Sequence, residues 1–203
     1  MARGFWRGRR GIRARLNAQE RALLAHLFVE VYELLDDQAG VDPDPLAAMV
    51  GIGTAVDPPS DPALARLLPE AHREDAQASA DFRRYTEVGL RERKRAGLEV
   101  ARRTLGREGA FVLDDTEARA WVVALTDVRL VLAERIGLRT DEDHDRLLAL
   151  IAAGGDSSSG HGEDDAQGDR QVEGLQMLLR LYDFLTWLQE TLVEALVAPM
   201  ADG

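Results

Sequence analysis

The chain has 203 residues, 45% of them hydrophobic and 30% charged, and a formal net charge of −11. This is the balance of a globular protein large enough to bury a single core. No apolar run approaches the roughly 20 residues of a membrane span. The absence of cysteine excludes disulfides, thiolate nucleophiles and cysteine metal sites, and the negative overall field opposes a whole-protein affinity for nucleic acid.

Residues 1–16 hold six arginines and three glycines. Ile12, Ala14 and Leu16 alternate with Arg13 and Arg15 as in a half-exposed strand, and Phe5 and Trp6 supply a hairpin partner. The preferred reading of this Arg-rich β arm is a solvated edge strand. The alternative is a basic arm that touches phosphate or an acidic partner. Asn17 and Glu20 form a capping box for a helix to about Asp36, with Leu24, Phe28, Val31 and Leu35 facing inward. Between residues 36 and 62 prolines punctuate the chain; Pro45 opens a short helix closed by Gly51, and Asp61–Pro62 opens another that Pro69 stops.

A long helix then starts in the 74–81 region and runs to Leu105. Phe82, Tyr85, Gly89, Leu90, Ala96 and Val100 are expected on its inner side. Arg84, Arg91, Arg95 and Arg102 make a basic stripe on the outer side. Arg93 falls among the apolar positions, where a buried guanidinium needs a carboxylate or carbonyl partner. Phe111 and Leu113 read as a short strand that pairs with the N-terminal segment. Asp114 or Asp115 caps the next helix, which buries Trp121, Leu125, Val128, Leu132 and Ile136 and ends at Gly137. Thr140 or Asp141 caps a helix carrying Leu147, Leu148 and Ile151. Residues 153–171 are glycine-rich and acidic and read as a flexible loop. A final helix from about Gln171 to Val197 carries Leu178, Leu181, Leu185, Leu188, Leu192 and Leu196 on one face, with Trp187 on the flank. Opposite run Asp183, Glu190 and Glu194, whose spacing matches that of the arginine stripe. This helix is expected at the centre of the bundle.

Residues 1–107 carry 18 Arg/Lys against 16 Asp/Glu, and residues 108–203 carry 7 against 20, so the chain is polar in charge. Such polarity can orient a protein partner or a second copy of the chain. Asp141, Asp143, His144 and Asp145 imitate the start of a calcium loop, but Arg146 and Ala152 stand where its glycine and glutamate belong. No serine-nucleophile motif or paired general acid and base stands out.

Several stretches carry a resemblance: DPALARLLPEA (61–71), FRRYTEVGLRERK (82–94), LDDTEARAWVVALTDVRLVLAERIG (113–137), YDFLTWLQETLVEAL (182–196), and the Leu16–Glu20 start. Together they cover most of the chain and resemble an actinobacterial domain-of-unknown-function family labelled AosR-type oxidative-stress transcriptional regulators. The resemblance implies a small cytoplasmic protein of redox or stress gene control, with a sigma factor or another transcription component as partner. The family label is linked to a redox-active cysteine pair. This chain has no cysteine, so thiol sensing is impossible and no sensing residue carries over.

The expectation is a mainly α, single-domain bundle of about five or six helices over residues 1–203, with a small N-terminal β element. The leading function is that of a non-enzymatic regulatory or adaptor protein working through protein–protein contacts. No catalytic, cofactor or metal residues are assigned, and no membrane contact is expected. Arg84, Arg91, Arg95, Arg102, Asp183, Trp187, Glu190 and Glu194 are the candidate contacts, within the bundle, across a homodimer or with a partner. DNA binding through the Arg-rich start and the 84–102 stripe is the alternative, and an unrecognised enzyme or metal protein the remotest.

Overall fold

The computed structural model describes residues 3–36, 57–72, 74–107, 111–155 and 163–198. Strands β1 (Arg3–Gly8) and β2 (Gly11–Arg15) form a hairpin, followed by helices α1 (Ala18–Asp36), α2 (Pro62–Leu67) and α3 (Ala76–Leu105). Strand β3 (Phe111–Leu113) leads into α4 (Asp115–Arg135), α5 (Asp141–Gly155) and α6 (Glu163–Val197). The bundle of helices with a small sheet is therefore as expected. The short helix expected after Pro45 lies outside the described residues. Of the loop expected at 153–171, residues 153–155 instead continue α5 and α6 begins at Glu163, eight residues before Gln171, while 156–162 lie outside the described residues.

The sheet is antiparallel in the order β1-β2-β3, with Ile12 opposite Leu113 and Ala14 opposite Phe111. β2 is thus the central strand, not an edge; β3 pairs with it because alternation puts Phe111 and Leu113 on the face that also buries Phe5, Ile12 and Ala14. Gly4 lets β1 lie directly on α6. A Cβ there would come within 2.5 Å of the Thr191 hydroxyl, which accepts a hydrogen bond from the Phe5 backbone N–H at 3.0 Å. Gly4→Ala is expected to lower the free energy of unfolding by about 1–3 kcal/mol through overpacking, checked by urea denaturation.

Helix starts follow local chemistry. Asn17 and Glu20 exchange capping bonds at 2.9 and 2.7 Å, and Asp114 with Glu117 forms a second capping box at the head of α4. Asp61 accepts from the backbone N–H of Ala63 and Leu64, with Pro62 in the first turn of α2. Gly137 ends α4 at φ +73°, a conformation that favours glycine.

The centre of the molecule is α4, not α6. α4 touches α1, α2, α3, α6 and the sheet, whereas α6 packs on α4, α5 and the sheet. The difference follows from girth. Trp121, Ala124, Leu125 and Val128 are inaccessible all along the middle of α4, but α6 keeps one side in solvent. Leu185, Leu188 and Leu192 of α6 are buried as expected; Leu178 is 39% exposed and Leu179 takes its place.

The inner face of α3 also differs. Phe82 and Tyr85 are 50% and 64% exposed, and Ala96 is exposed. The buried stripe is Ser79, Arg83, Glu87, Leu98, Ala101, Thr104 and Leu105, with Leu90 partly covered. Charged residues can occupy it because they satisfy one another. Glu87 takes Arg83 at 2.9 Å and Arg91 at 2.8 Å, and Arg91 also donates to the Leu35 carbonyl at the end of α1. Arg93, expected to be buried, is exposed. Its neighbour Lys94 turns inward instead and meets Asp127 of α4 at 2.5 Å.

Candidate functional site

The arginine stripe does not meet the acidic stripe. Arg91 is committed to Glu87 and Leu35. Arg95 pairs with Asp36 at 2.7 Å and lies 4.5 Å over the Tyr32 ring, so both tie α3 to α1. Arg102 pairs with Glu99 one turn back on its own helix, and Arg84 is exposed. The in-chain pairing with Asp183, Glu190 and Glu194 is thereby replaced: three of the four arginines already have carboxylate partners elsewhere.

Asp183, Trp187, Glu190 and Glu194 do stand together. They recur at i, i+4, i+7 and i+11 on α6, and Val197 at i+14 extends the line. All five are exposed, Trp187 by 37% and Val197 by 79%. The Trp187 ring leans on Phe184 with centroids 6.0 Å apart. Val193 on the same helix and Val123 on α4 are also exposed, by 42% and 45%. No ion pair joins the three carboxylates to another side chain among the described residues. Their placement works against the helix: Glu190 and Glu194 repel at i, i+4 by about 0.2–0.5 kcal/mol. Glu194 also lies in the last turn, where the helix dipole disfavours an anion and α6 itself supplies no basic residue.

The sheet presents a second charged surface. Arg13 and Arg15 project from the outer face of β2, Arg9 and Arg10 occupy the exposed turn, and Arg3 lies 4.5 Å over the Trp6 ring. Arg7 alone is drawn inward, to Asp115 at the head of α4 and to the Leu196 carbonyl at the end of α6, both at 3.0 Å.

A cleft of about 300 Å³ was not legible in the sequence. It is lined by Arg66 of α2, Thr126, Arg129 and Leu130 of α4, Arg139 and Thr140 before α5, His144 of α5 and Tyr182 of α6, among others. Arg129 donates to Gln189 Oε1 at 2.9 Å and to the Tyr182 hydroxyl at 3.2 Å, and it stacks on the Tyr182 ring. Both partners are neutral. Arg66 and Arg139 each reach Glu134, whose side chain is 7% exposed. No single stretch signals this site, because its residues come from elements far apart in the chain.

Among the described residues no group of three or more His, Asp or Glu is placed to hold a metal ion. Asp143, in the calcium-like run, serves its own helix end. Hydrogen bonds from the backbone N–H of Arg139 and Thr140, with Arg146 beside it, hold its carboxyl below the usual range. No described helix is long and apolar enough to cross a membrane.

Comparison with known proteins places the chain. A Mycobacterium tuberculosis protein named oxidative stress regulator AosR is 31% identical over 136 residues, covering 59% of this chain and 62% of that protein. The chain therefore spans less than two thirds of that relative's length. A Mycobacterium leprae relative, also named for oxidative stress regulator AosR, is 28% identical over 195 residues, covering 88% of this chain and 79% of the relative. No solved structure matches the chain significantly. A family model described as a domain of unknown function, DUF2017, matches residues 2–196, and the chain belongs to that family.

Proposed function

We propose that this protein is a non-enzymatic regulator of an oxidative-stress response that acts by binding another protein through the exposed ridge of α6. The supporting observation is the line Asp183, Trp187, Glu190, Glu194 and Val197, an aromatic anchor ringed by carboxylates and lying in solvent. Interfaces concentrate binding energy in such anchors, with charge at the rim giving orientation and rate. A partner with an apolar pocket bordered by Lys or Arg relieves the repulsion between Glu190 and Glu194. The names of the mycobacterial relatives support the stress context. The partner class is a component of the transcription machinery, with a sigma factor as the form that the family label suggests. With no cysteine in the chain, control rests on partner abundance or on a ligand, not on a thiol of this protein.

The test is genetic. A strain carrying Trp187→Ala together with Glu190→Lys at the native locus is expected to lose the transcript changes that the wild-type gene produces under peroxide. The protein should still accumulate, because neither side chain belongs to the buried core. An unchanged transcript response would refute the reading.

DNA binding is a second reading, favoured by the exposed arginines of the hairpin around Trp6. It predicts binding that falls steeply with salt and weakens further when Arg9, Arg10 and Arg13 become alanine, read by fluorescence anisotropy. Absence of binding at low salt would end it.

A further inference from the structure

We infer that the cleft between α2, α4, α5 and α6 is a binding site for a small oxyanion-bearing molecule, a phosphomonoester or a polycarboxylate. Three guanidinium groups, those of Arg66, Arg129 and Arg139, line one concavity, and no carboxylate among the described residues does. This concentration of positive charge lies largely on the half of the chain that carries 7 Arg/Lys against 20 Asp/Glu.

Arg129 carries the argument. It is partly buried, its hydrogen-bond partners Gln189 and Tyr182 are neutral, and its Nε is buried without an acceptor. A guanidinium withdrawn from water without an anionic partner is unfavourable. An oxyanion in the cleft supplies the missing countercharge. Glu134 does not fill this role, because its carboxylate pairs with Arg66 and Arg139 and not with Arg129. Glu134 fixes the Arg139 guanidinium by accepting from its Nε and one terminal nitrogen, and the remaining terminal N–H donors of Arg139 and those of Arg66 are left to bind an oxyanion. The neutral donors fit the same chemistry. The Tyr182 oxygen accepts from Arg129, which leaves its own hydrogen to donate. The Thr140 hydroxyl and the His144 ring stand on the same wall. The volume, about 300 Å³, lies at the lower end of ligand pockets and suits a compact anion rather than a dinucleotide.

An occupant here would bridge α4, the start of α5 and α6, and Tyr182 precedes Asp183, the first residue of the exposed ridge, by one position. The site therefore stands where a ligand can stiffen the ridge, although binding itself does not depend on what the ridge contacts.

The experiment is a titration of the full chain with sodium phosphate, and separately with citrate, at constant ionic strength, followed by amide NMR shifts. The inference predicts saturable, common-curve shifts at Thr126, Thr140, His144 and Tyr182. Affinity should drop at least tenfold in Arg129→Gln and in Arg139→Gln and stay unchanged in Arg119→Gln, outside the cleft. Saturation by phosphate alone assigns a phosphomonoester, and by citrate alone a carboxylate. The Arg139 side chain is 61% exposed, so its variant keeps the test valid if Arg129→Gln unfolds. Shifts that fail to saturate with both anions, or that persist equally in Arg139→Gln, would overturn the inference.

Discussion

Trp121→Ala is expected to lower the free energy of unfolding by about 3–5 kcal/mol, the upper range for a core truncation. The side chain is fully buried at the junction of every layer. Phe5 from β1 and Phe28 from α1 meet its ring edge-on, each at 5.4 Å, and Phe111 from β3 stacks on it at 5.7 Å. Its indole N–H donates to Thr104 Oγ1 at 2.6 Å, and that hydroxyl turns its own hydrogen back to the α3 backbone. Truncation removes the aromatic contacts and leaves a cavity that sheet, α1 and α3 share. Trp121→Phe keeps much of the ring and loses the hydrogen bond, so its cost should be smaller. Urea denaturation followed by far-ultraviolet circular dichroism checks both, and equal stability of Trp121→Ala and the wild type would show that the aromatic cluster is not the core's centre.

Lys94→Met should destabilise by a similar amount, about 3–5 kcal/mol, for an electrostatic reason. Asp127 is 1% exposed and depends on Lys94; its second oxygen already has no hydrogen-bond partner. Removing the ammonium leaves a carboxylate buried without compensation. The double variant Lys94→Met/Asp127→Leu should recover most of the loss, because an apolar pair can replace a buried ion pair. Burial pushes the Asp127 carboxyl above its ordinary value of 3.8, and Lys94 pulls only part of the way back. The native state therefore holds this proton more tightly than the unfolded chain. The resulting stabilisation is complete below pH 3.8 and is lost as pH rises through the folded value. Relative to Asp127→Asn, the wild type should lose stability across that window; a gain over the same window would show that the ion pair outweighs burial.

Where a feature depends on neighbours in sequence, the sequence was informative. The Asn17–Glu20 and Asp114–Glu117 boxes, the Pro62 helix start and the Gly137 stop are set within a few residues. The inward face of α4 follows from the apolar period of Trp121, Leu125, Val128 and Leu132, although the burial of Asp127 beside it does not. The face of α3 was not legible because charge and apolarity share its buried stripe. Arg83, Glu87 and Arg91 continue the helical row of Leu98, Ala101 and Leu105, and only the mutual pairing of the three charges makes their burial tolerable. Phe82 and Tyr85 drew the predicted face toward them although they lie in solvent. The acidic ridge was visible as a spacing on one helix, whereas the match to the arginine spacing does not correspond to pairing within the chain, since Arg91 and Arg95 are held by α1 and by their own helix. The cleft needed the fold itself: Arg129 and Tyr182 are 53 residues apart, and nothing near either one marks it as part of a pocket.

A regulator that works through the α6 ridge makes a sharp demand on its contacts. Wild-type protein and the Trp187→Ala/Glu190→Lys variant, each captured from native-host lysate after peroxide and compared by quantitative mass spectrometry, should differ in one respect. A transcription component recovered with the wild type should be depleted at least tenfold with the variant, while both proteins are folded at the capture temperature by circular dichroism. Recovery of the same proteins in equal amounts by both would contradict the ridge as the working surface.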